Sequence, residues 1–323
     1  MTCKMSAPAL LMLALLLANL VSANADRNSP FAYSLQSLAE VKQWLASDAY
    51  AAGTRSSESG EQCSQRLKQV DDLMSPPRTE ASTWRAYTLC KEELQRRSDA
   101  ALKLRTAEAL LAYIRGKTDG NALRADGKHS DSPENRRLWR THAPEALSLL
   151  EEVKAEKGQE PLHAFLYAEA FMYCSCSTGV VKAALKGDAF HFKSNAKPLL
   201  EQHPSFGNGV GHTFMGAFYL GAPWPVHSAS KARQHFKAAQ AAFPNCRRNQ
   251  YYVGLEALRA GRRDEARAAF TTALATPVGS TEEGDIGDFL LSQCRLGLEQ
   301  LDDDGGAKGA ARSKGVKPKP RVQ

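Results

Sequence analysis

The chain has 323 residues, 43% of them hydrophobic, and its formal net charge of +7 at first suggests a nucleic-acid-binding protein. Six of its positive charges lie after Asp304, where no acid follows, and Lys4 carries another, so the part between is close to neutral. A near-neutral body provides no general field that attracts phosphates, which argues against a nucleic-acid partner, and the length is sufficient for one large core.

Residues 1–25 have the features of a signal peptide. Lys4 precedes an apolar run over 7–21, and Ala23-Asn24-Ala25 provides a small-residue cleavage site. The run is short for a bilayer span, although an uncleaved N-terminal anchor is the alternative interpretation. No cysteine lies directly after the run, where a lipid would be attached, so lipid attachment is not expected. We predict a secreted or periplasmic protein of the secretory pathway, without a membrane span after cleavage.

One disulfide is predicted from the spacing around a proline turn. Ser75-Pro76-Pro77 interrupts two helix-like segments, because proline stops a helix and disfavours helical backbone in the residue before it. Cys63 lies 14 residues before Pro77, and Cys90 lies 14 residues after Pro76. Residues equidistant from the turn of a helical hairpin come level, so we predict a Cys63–Cys90 bridge. The pairing of the other four mature-chain cysteines stays open.

Most of the mature chain has the apolar spacing of amphipathic helices. Apolar side chains recur in steps of three and four, as in the stripe Leu104, Ala107, Leu111 and Ile114. The polar stretch 118–136 is too long for a mere connector, and we expect it to lie over one mouth of the helical stack. We predict one all-helical domain over residues 26–301.

The last third repeats itself with the tetratricopeptide period of 34 residues. The matching positions are Ala232 with Ala266, Phe236 with Phe270, and Ala239 with Ala273. The alanines allow two helices to approach closely and the phenylalanine fills the groove between them, while Gly216 and Gly254 fit the small position of each first helix. The predicted fold is therefore an all-α, irregular tetratricopeptide-like stack of antiparallel helix pairs, clearest over 209–276.

The C-terminal end contains a helix start and then a basic tail. Ser280 and Glu283 have the spacing of a capping box, which predicts a final helix over 281–301 that covers the end of the stack. Residues 302–323 are rich in Gly, Ala, Lys and Pro, and we predict a disordered basic tail there.

Part of the sequence resembles a known family. The stretches PSFGNGVGHTFMGAFYLGAPWP (204–225), SKARQHF (230–236) and NQYYVG (249–254) look like the helical-repeat subunit associated with tripartite ATP-independent periplasmic transporters. The resemblance covers about residues 100 to 300. It implies an all-helical fold with a central apolar pore or groove and an extracytoplasmic solute-binding protein as partner.

No pattern indicates an enzyme, a metal centre or a cofactor. The sequence lacks the zinc-protease, serine-hydrolase and phosphate-loop motifs. Gly207, Gly209 and Gly211 do not follow a strand, and Cys174 and Cys176 have no histidine at a known ligand spacing. We predict no catalytic residue and no metal ligand.

Aromatic side chains in the repeat region are the candidate binding residues. Trp224 lies between Pro223 and Pro225 in an elongated turn, where a helical core cannot easily absorb it. Aromatics held on turns are favoured contact residues, and we group Tyr219 and Tyr252 with it.

Two functions remain open. The first is a non-catalytic scaffold that binds a partner protein or peptide. The alternative is a transporter-associated accessory that encloses a small apolar or amphiphilic ligand in a helical pore. A continuous internal cavity favours the accessory, whereas a filled core favours the scaffold.

Overall fold

A computed structural model describes residues 57–313 except 129, 180, 181, 184 and 185, and it describes side chains over 65–303 with those gaps and residue 189 excepted. The chain divides into two compact units, 1–62 and 63–323. The first lies almost wholly outside the described residues, as does the predicted signal peptide. The second unit holds nearly all of the described residues.

The described residues form helices and contain no strand, so the predicted all-α fold is confirmed. The α-helices are α1 Ser57–Met74, α2 Glu80–Leu94, α3 Ala100–Lys117, α4 Pro133–Lys157, α5 Pro161–Cys176, α6 Asp188–Glu201, α7 Val210–Gly221, α8 Ala229–Ala242, α9 Arg247–Arg259, α10 Arg263–Ala275, α11 Thr281–Gly284 and α12 Gly287–Ser313. Short 3-10 turns occupy Asp119–Asn121 and Phe206–Asn208. None of these helices is long and apolar enough to cross a membrane.

Capping side chains set many of the helix starts. Thr79, Asp99, Ser132, Ser228 and Ser280 each accept a hydrogen bond from the backbone N–H three residues further on. Such a bond satisfies one of the free N–H groups in the first helical turn. The helices therefore begin where the sequence provides short polar side chains.

Consecutive helices pack as neighbours, and alternate helices form a layer. The pairs are α3 with α4, α5 with α6, α7 with α8, and α9 with α10. Contacts also join α3 to α5, α7 to α9, and α9 to α12. We call α3, α5, α7, α9 and α12 the inner layer, because the loop between α3 and α4 packs against it.

The two C-terminal pairs are locked by the same glycine–phenylalanine contact. A Cβ atom added to Gly216 would lie 2.3 Å from the ring of Phe236, and one added to Gly254 would lie 2.7 Å from the ring of Phe270. Both rings are almost completely buried. The four repeat alanines are buried as well: Ala232, Ala239, Ala266 and Ala273. In both pairs, therefore, only the absence of a side chain on the first helix makes room for the ring.

The last helices differ from the expectation of one helix over 281–301. Ser280 caps only the four residues of α11, and α12 begins at Gly287. The chain turns between them because the Asp285 carboxylate pairs with Arg78 and Arg115 in the interior. Helix α12 then continues to Ser313, into the segment predicted to be disordered.

Candidate functional site

The loop over 118–128 and 130–132, which we call the bridging loop, lies against the inner layer of helices. The carbonyl oxygen of Leu123 accepts a hydrogen bond from the Tyr251 hydroxyl at 2.5 Å, and the Ala125 N–H donates to Gln293 Oε1 at 2.9 Å. The Leu123 side chain lies 3.0 Å from the position a Cβ would take on Gly221. The loop thus contacts α7, α9 and α12. It lies between these helices, whereas it was expected to lie over one mouth of the stack.

A buried ion network, which we call the interior ion network, lies beside this loop. Arg115 donates to both carboxylate oxygens of Glu169 at 2.7 and 2.6 Å and also pairs with Asp285. Arg78 binds the same aspartate through two bonds of 2.6 and 2.8 Å. All four side chains are at most 4% exposed.

The chemistry of the interior ion network is structural. Although burial works against its charge, Glu169 and Asp285 raise the pKa of Arg115 well above its usual value. Each carboxylate already receives paired guanidinium bonds, which are the strongest hydrogen bonds such groups form. The network therefore ties α3, α5 and the α11–α12 link together.

Trp224 stands out from this interior because it is 87% exposed. It sits in the turn between α7 and α8, and backbone bonds brace that turn. The Val226 and His227 N–H groups donate to the Pro223 carbonyl, at 3.0 and 3.1 Å, and Ser228 N–H donates to the Tyr219 carbonyl at 3.0 Å. The indole is thus held outward by a fixed turn, where the flanking prolines had predicted it.

Tyr219 lies beneath this turn in a small cluster of polar rings. It is 8% exposed. Its ring stacks on that of His235, with the two centroids 5.8 Å apart, and Lys231 Nζ lies 5.2 Å from the centroid of the Tyr219 ring. The Nδ1 atoms of His212 and His235 lie 3.1 Å apart, a contact that needs one protonated and one unprotonated nitrogen. Tyr219 therefore supports the exposed turn and offers little surface to a partner.

The two histidines are disposed to stay neutral. Burial lowers the pKa of His212. Burial also lowers the pKa of His235, and the nearby His212 and Lys193 lower it further. If both rings were protonated, two positive charges would be in contact. The protonation of one histidine therefore disfavours that of the other, and the two titrate as a coupled pair between α7 and α8.

Phe190 is a second exposed aromatic residue. It lies at the start of α6, close to the end of α7. It is 75% exposed. Its neighbour Phe192 packs inward, 5.6 Å from Phe218 between ring centroids, and Leu199 abuts Gly211. This antiparallel register places Phe190 near the end of α7, from which the Trp224 turn continues. Phe190 was not predicted from the sequence, although residues two apart on a helix cannot share one face, so one of Phe190 and Phe192 had to point outward.

Tyr252 is placed in the framework. It is 5% exposed and stacks on Phe236 at 5.0 Å between ring centroids. The structure therefore does not bring it to the surface that Trp224 occupies. Of the three candidate contact residues, only Trp224 is exposed.

Trp84 belongs to a different aromatic group. It is 37% exposed, and its ring packs on Tyr113 at 4.8 Å and Tyr87 at 5.1 Å. Trp224 has no ring neighbour of this kind among the described residues. Its apolar surface therefore faces solvent, while that of Trp84 is largely covered.

The five cysteines whose side chains are described form no disulfide with one another. Cys90 is buried, and burial raises its pKa to about 12. The side chain of Cys63 lies outside the described residues, so the Cys63–Cys90 bridge stays a prediction. Cys246 donates to the buried carboxylate of Glu283 at 3.0 Å. Within the described part of the chain, no three His, Cys, Asp or Glu side chains cluster as metal ligands.

A depression of about 480 Å³ lies at the α9–α10 turn, lined by residues 261–265. It is open to solvent, and two of its charged side chains, Arg262 and Glu265, already pair with each other. It is a surface feature and not an enclosed chamber.

Comparison with known proteins gives no match, either to a family or to a curated sequence.

Proposed function

We propose that this protein is a non-catalytic, tetratricopeptide-like scaffold of the secretory pathway that binds a partner protein through the surface around Trp224. The observation that carries the proposal is the 87% exposure of an indole held on a hydrogen-bonded turn. Tryptophan is among the residues most enriched at the energetic centres of protein interfaces. A fixed turn also reduces the entropy lost when the side chain is immobilised on binding.

The contacts between the inner helices support the scaffold over the ligand-enclosing accessory. The bridging loop and the interior ion network both make buried bonds there, such as Tyr251 to Leu123 and Arg115 to Glu169. A ligand there would have to displace buried hydrogen bonds and ion pairs, which is costly. The resemblance to transporter-associated helical-repeat subunits is consistent with an extracytoplasmic solute-binding protein as the partner.

Site-specific photo-crosslinking tests the proposal. A photoreactive phenylalanine analogue replaces Trp224 in the full chain, and the matched control carries it at Ser148, an exposed position on α4. We expect irradiation in the native secretory compartment to give one protein adduct at position 224 and none at position 148. Mass spectrometry of the adduct identifies the partner.

Competition with unlabelled protein tests whether adduct formation depends on the Trp224 side chain. Unlabelled wild-type protein should suppress the adduct, whereas unlabelled Trp224→Ala should suppress it far less and should keep the wild-type melting temperature. Identical adducts at positions 148 and 224, or no adduct at 224, would contradict a partner-binding role for this surface.

A further inference from the structure

The surface around Trp224 is basic as well as aromatic. We call it the α6–α8 face and define it by Phe190 and Lys193 of α6, Trp224 of the turn, and Lys231 of α8. All four side chains are exposed. Lys231 contacts the Tyr219 ring, which stacks on His235, and Lys193 directly follows Phe192, whose ring lies 5.6 Å from that of Phe218 on α7. The two lysines therefore flank one cluster on the outside of α7.

The two lysines of this face lack a counter-ion within the described part of the chain. No carboxylate among the described side chains forms an ion pair with Lys193 or Lys231. Other basic residues nearby are paired: Lys197 lies 3.6 Å from Glu201, and Lys237 lies 2.9 Å from Glu265. The described residues thus leave the positive charge of the α6–α8 face uncompensated.

The sequence shows the same imbalance. Residues 182–237 contain seven lysines and arginines and only two acids, Asp188 and Glu201. The body of the chain is close to neutral as a whole, so the five excess positive charges of this segment are balanced by acids elsewhere in the chain, and the segment is a local positive region. Such a region attracts and orients a negatively charged partner and disfavours a positive one.

We propose that the α6–α8 face binds an acidic protein segment that carries an apolar side chain, an inference that rests on the partner-binding function proposed above. The acidic groups pair with Lys193 and Lys231, and the apolar side chain packs on Trp224 and Phe190. A neutral partner would desolvate both lysines without replacing their lost water contacts. The backbone at Trp224 is held by the hydrogen bonds of its turn, and the backbone at Phe190 is helical, so the two positions present a defined surface to the partner.

Fluorescence anisotropy with two peptide probes tests the charge requirement. In the first labelled peptide glutamates surround a central phenylalanine, and in its twin glutamines replace the glutamates. At low salt we expect the full chain to bind the glutamate peptide about tenfold or more tightly than the twin, with the difference shrinking as salt is raised. Equal binding of the two peptides, or no binding of either, overturns the proposal.

Three variants locate the site. The double variant Lys193→Gln/Lys231→Gln should reduce binding of the glutamate peptide to the level of the twin, and Trp224→Ala should weaken both peptides. Lys197→Gln is the matched control, because Lys197 lies one turn along α6 but already pairs with Glu201. All three should keep the wild-type melting temperature. If Lys197→Gln weakens the peptide as much as the double variant does, the site is wrong.

Vesicles distinguish an acidic protein from an anionic lipid surface. Vesicles of phosphatidylcholine, with and without phosphatidylglycerol, are sedimented with the wild type and the double lysine variant. Lysine-dependent binding to the anionic vesicles, with no binding of the glutamate peptide, overturns the proposal in favour of a lipid surface. If the 224 adduct is a protein whose crosslinked segment is not acidic, the scaffold function stands and only this inference fails.

Discussion

The contact between Gly216 and the Phe236 ring is the kind of detail on which a stack of helix pairs depends. The ring is 1% exposed and is held from its other side by Tyr252, so it has no room to move aside. The same arrangement returns at Gly254 and Phe270, where Gly297 of α12 also abuts the ring. Two helices approach closely at these points because one of them carries no side chain.

This contact predicts that Gly216→Ala destabilises the fold. The new Cβ would overlap a buried ring, and overpacking of this kind costs about 1 to 3 kcal/mol. Gly116→Ala in α3 is the matched control: its Cβ would meet only the Asp285 carbonyl oxygen at 3.9 Å, and alanine favours a helix by up to about 1 kcal/mol over glycine. Urea unfolding of both variants measures the difference. A Gly216→Ala midpoint at or above that of Gly116→Ala would contradict the packing argument.

The His212–His235 pair predicts a pH dependence of stability. Both pKa values are lowered in the folded protein, so the unfolded chain binds more protons around its ordinary histidine pKa of about 6.5. The free energy of unfolding should therefore fall as pH drops below about 6.5 and level off above it. Lys193, Lys231 and the Tyr219 ring face the pair and add no negative charge.

Urea midpoints between about pH 5 and pH 8, the range in which histidines titrate, measure this slope in the wild type and in His235→Gln. We expect a shallower slope in the variant. His227→Gln, which changes an exposed histidine of the same turn, should keep the wild-type slope. Burial also lowers the pKa of His142, which is unchanged in all three proteins, so only the difference between slopes reports on the pair.

Among the elements, the bridging loop has the most unusual role. Its hydrogen bonds go to the inner helices, including Tyr251 of α9 and Gln293 of α12. Burial raises the pKa of both Tyr251 and Tyr252, and the Leu123 backbone lies against both hydroxyls. The loop holds parts of the inner layer together, because it contacts α7, α9 and α12, which belong to different helix pairs.

This role predicts that Tyr251→Phe loosens the loop. The Leu123 carbonyl would lose its buried donor, at a cost of about 1 to 3 kcal/mol, and the Ala125 amide should exchange faster with solvent. Tyr167→Phe is the control, since its hydroxyl bonds to Glu151 at the protein surface. Hydrogen exchange and urea unfolding measure the two effects. Unchanged protection at Ala125 in Tyr251→Phe would show that the loop does not depend on this bond.

The sequence predicted those elements whose signals are local. Helix ends followed from Pro, Gly and capping residues, and the outward position of Trp224 followed from Pro223 and Pro225. The burial of Tyr219 and Tyr252 did not follow, because the face of a helix that points inward depends on its neighbours. The capping signal at Ser280 predicts the start of one long helix, but Asp285 is drawn inward by Arg78, 207 residues away. The path of the bridging loop depends on partners that are 128 and 168 residues away.

For the whole molecule, the interior ion network joins the two ends of the helical array. Arg78 precedes α2 and Asp285 precedes α12, while Arg115 and Glu169 lie on inner helices between them. Arrays of helix pairs with contacts only between neighbours lose stability pair by pair from their ends. A buried tie between the ends couples these pairs into one cooperative unit.

Breaking this tie should therefore destabilise the whole array. Arg115→Gln leaves Glu169 and Asp285 with too little counter-charge, and the loss of one partner from a buried pair costs about 3 to 5 kcal/mol. Arg267→Gln, which removes an exposed partner of Asp302, should cost less than about 1 kcal/mol. Calorimetry should show one lowered or broadened transition for Arg115→Gln. A wild-type melting temperature would contradict the role of the tie.

The interior ion network also limits how such a chain can change its length during evolution. Open solenoids readily gain or lose units by duplication and deletion, because each new unit needs only its neighbours. Here an inserted pair between α5 and α12 would move Asp285 away from Arg78 and Arg115, so that the buried Asp285 would lose both of its partners and Arg115 would keep only Glu169. The number of helix pairs is therefore fixed by a few charged side chains. We therefore expect variants of this protein to keep the number of helix pairs and to differ in surface side chains and exposed turns.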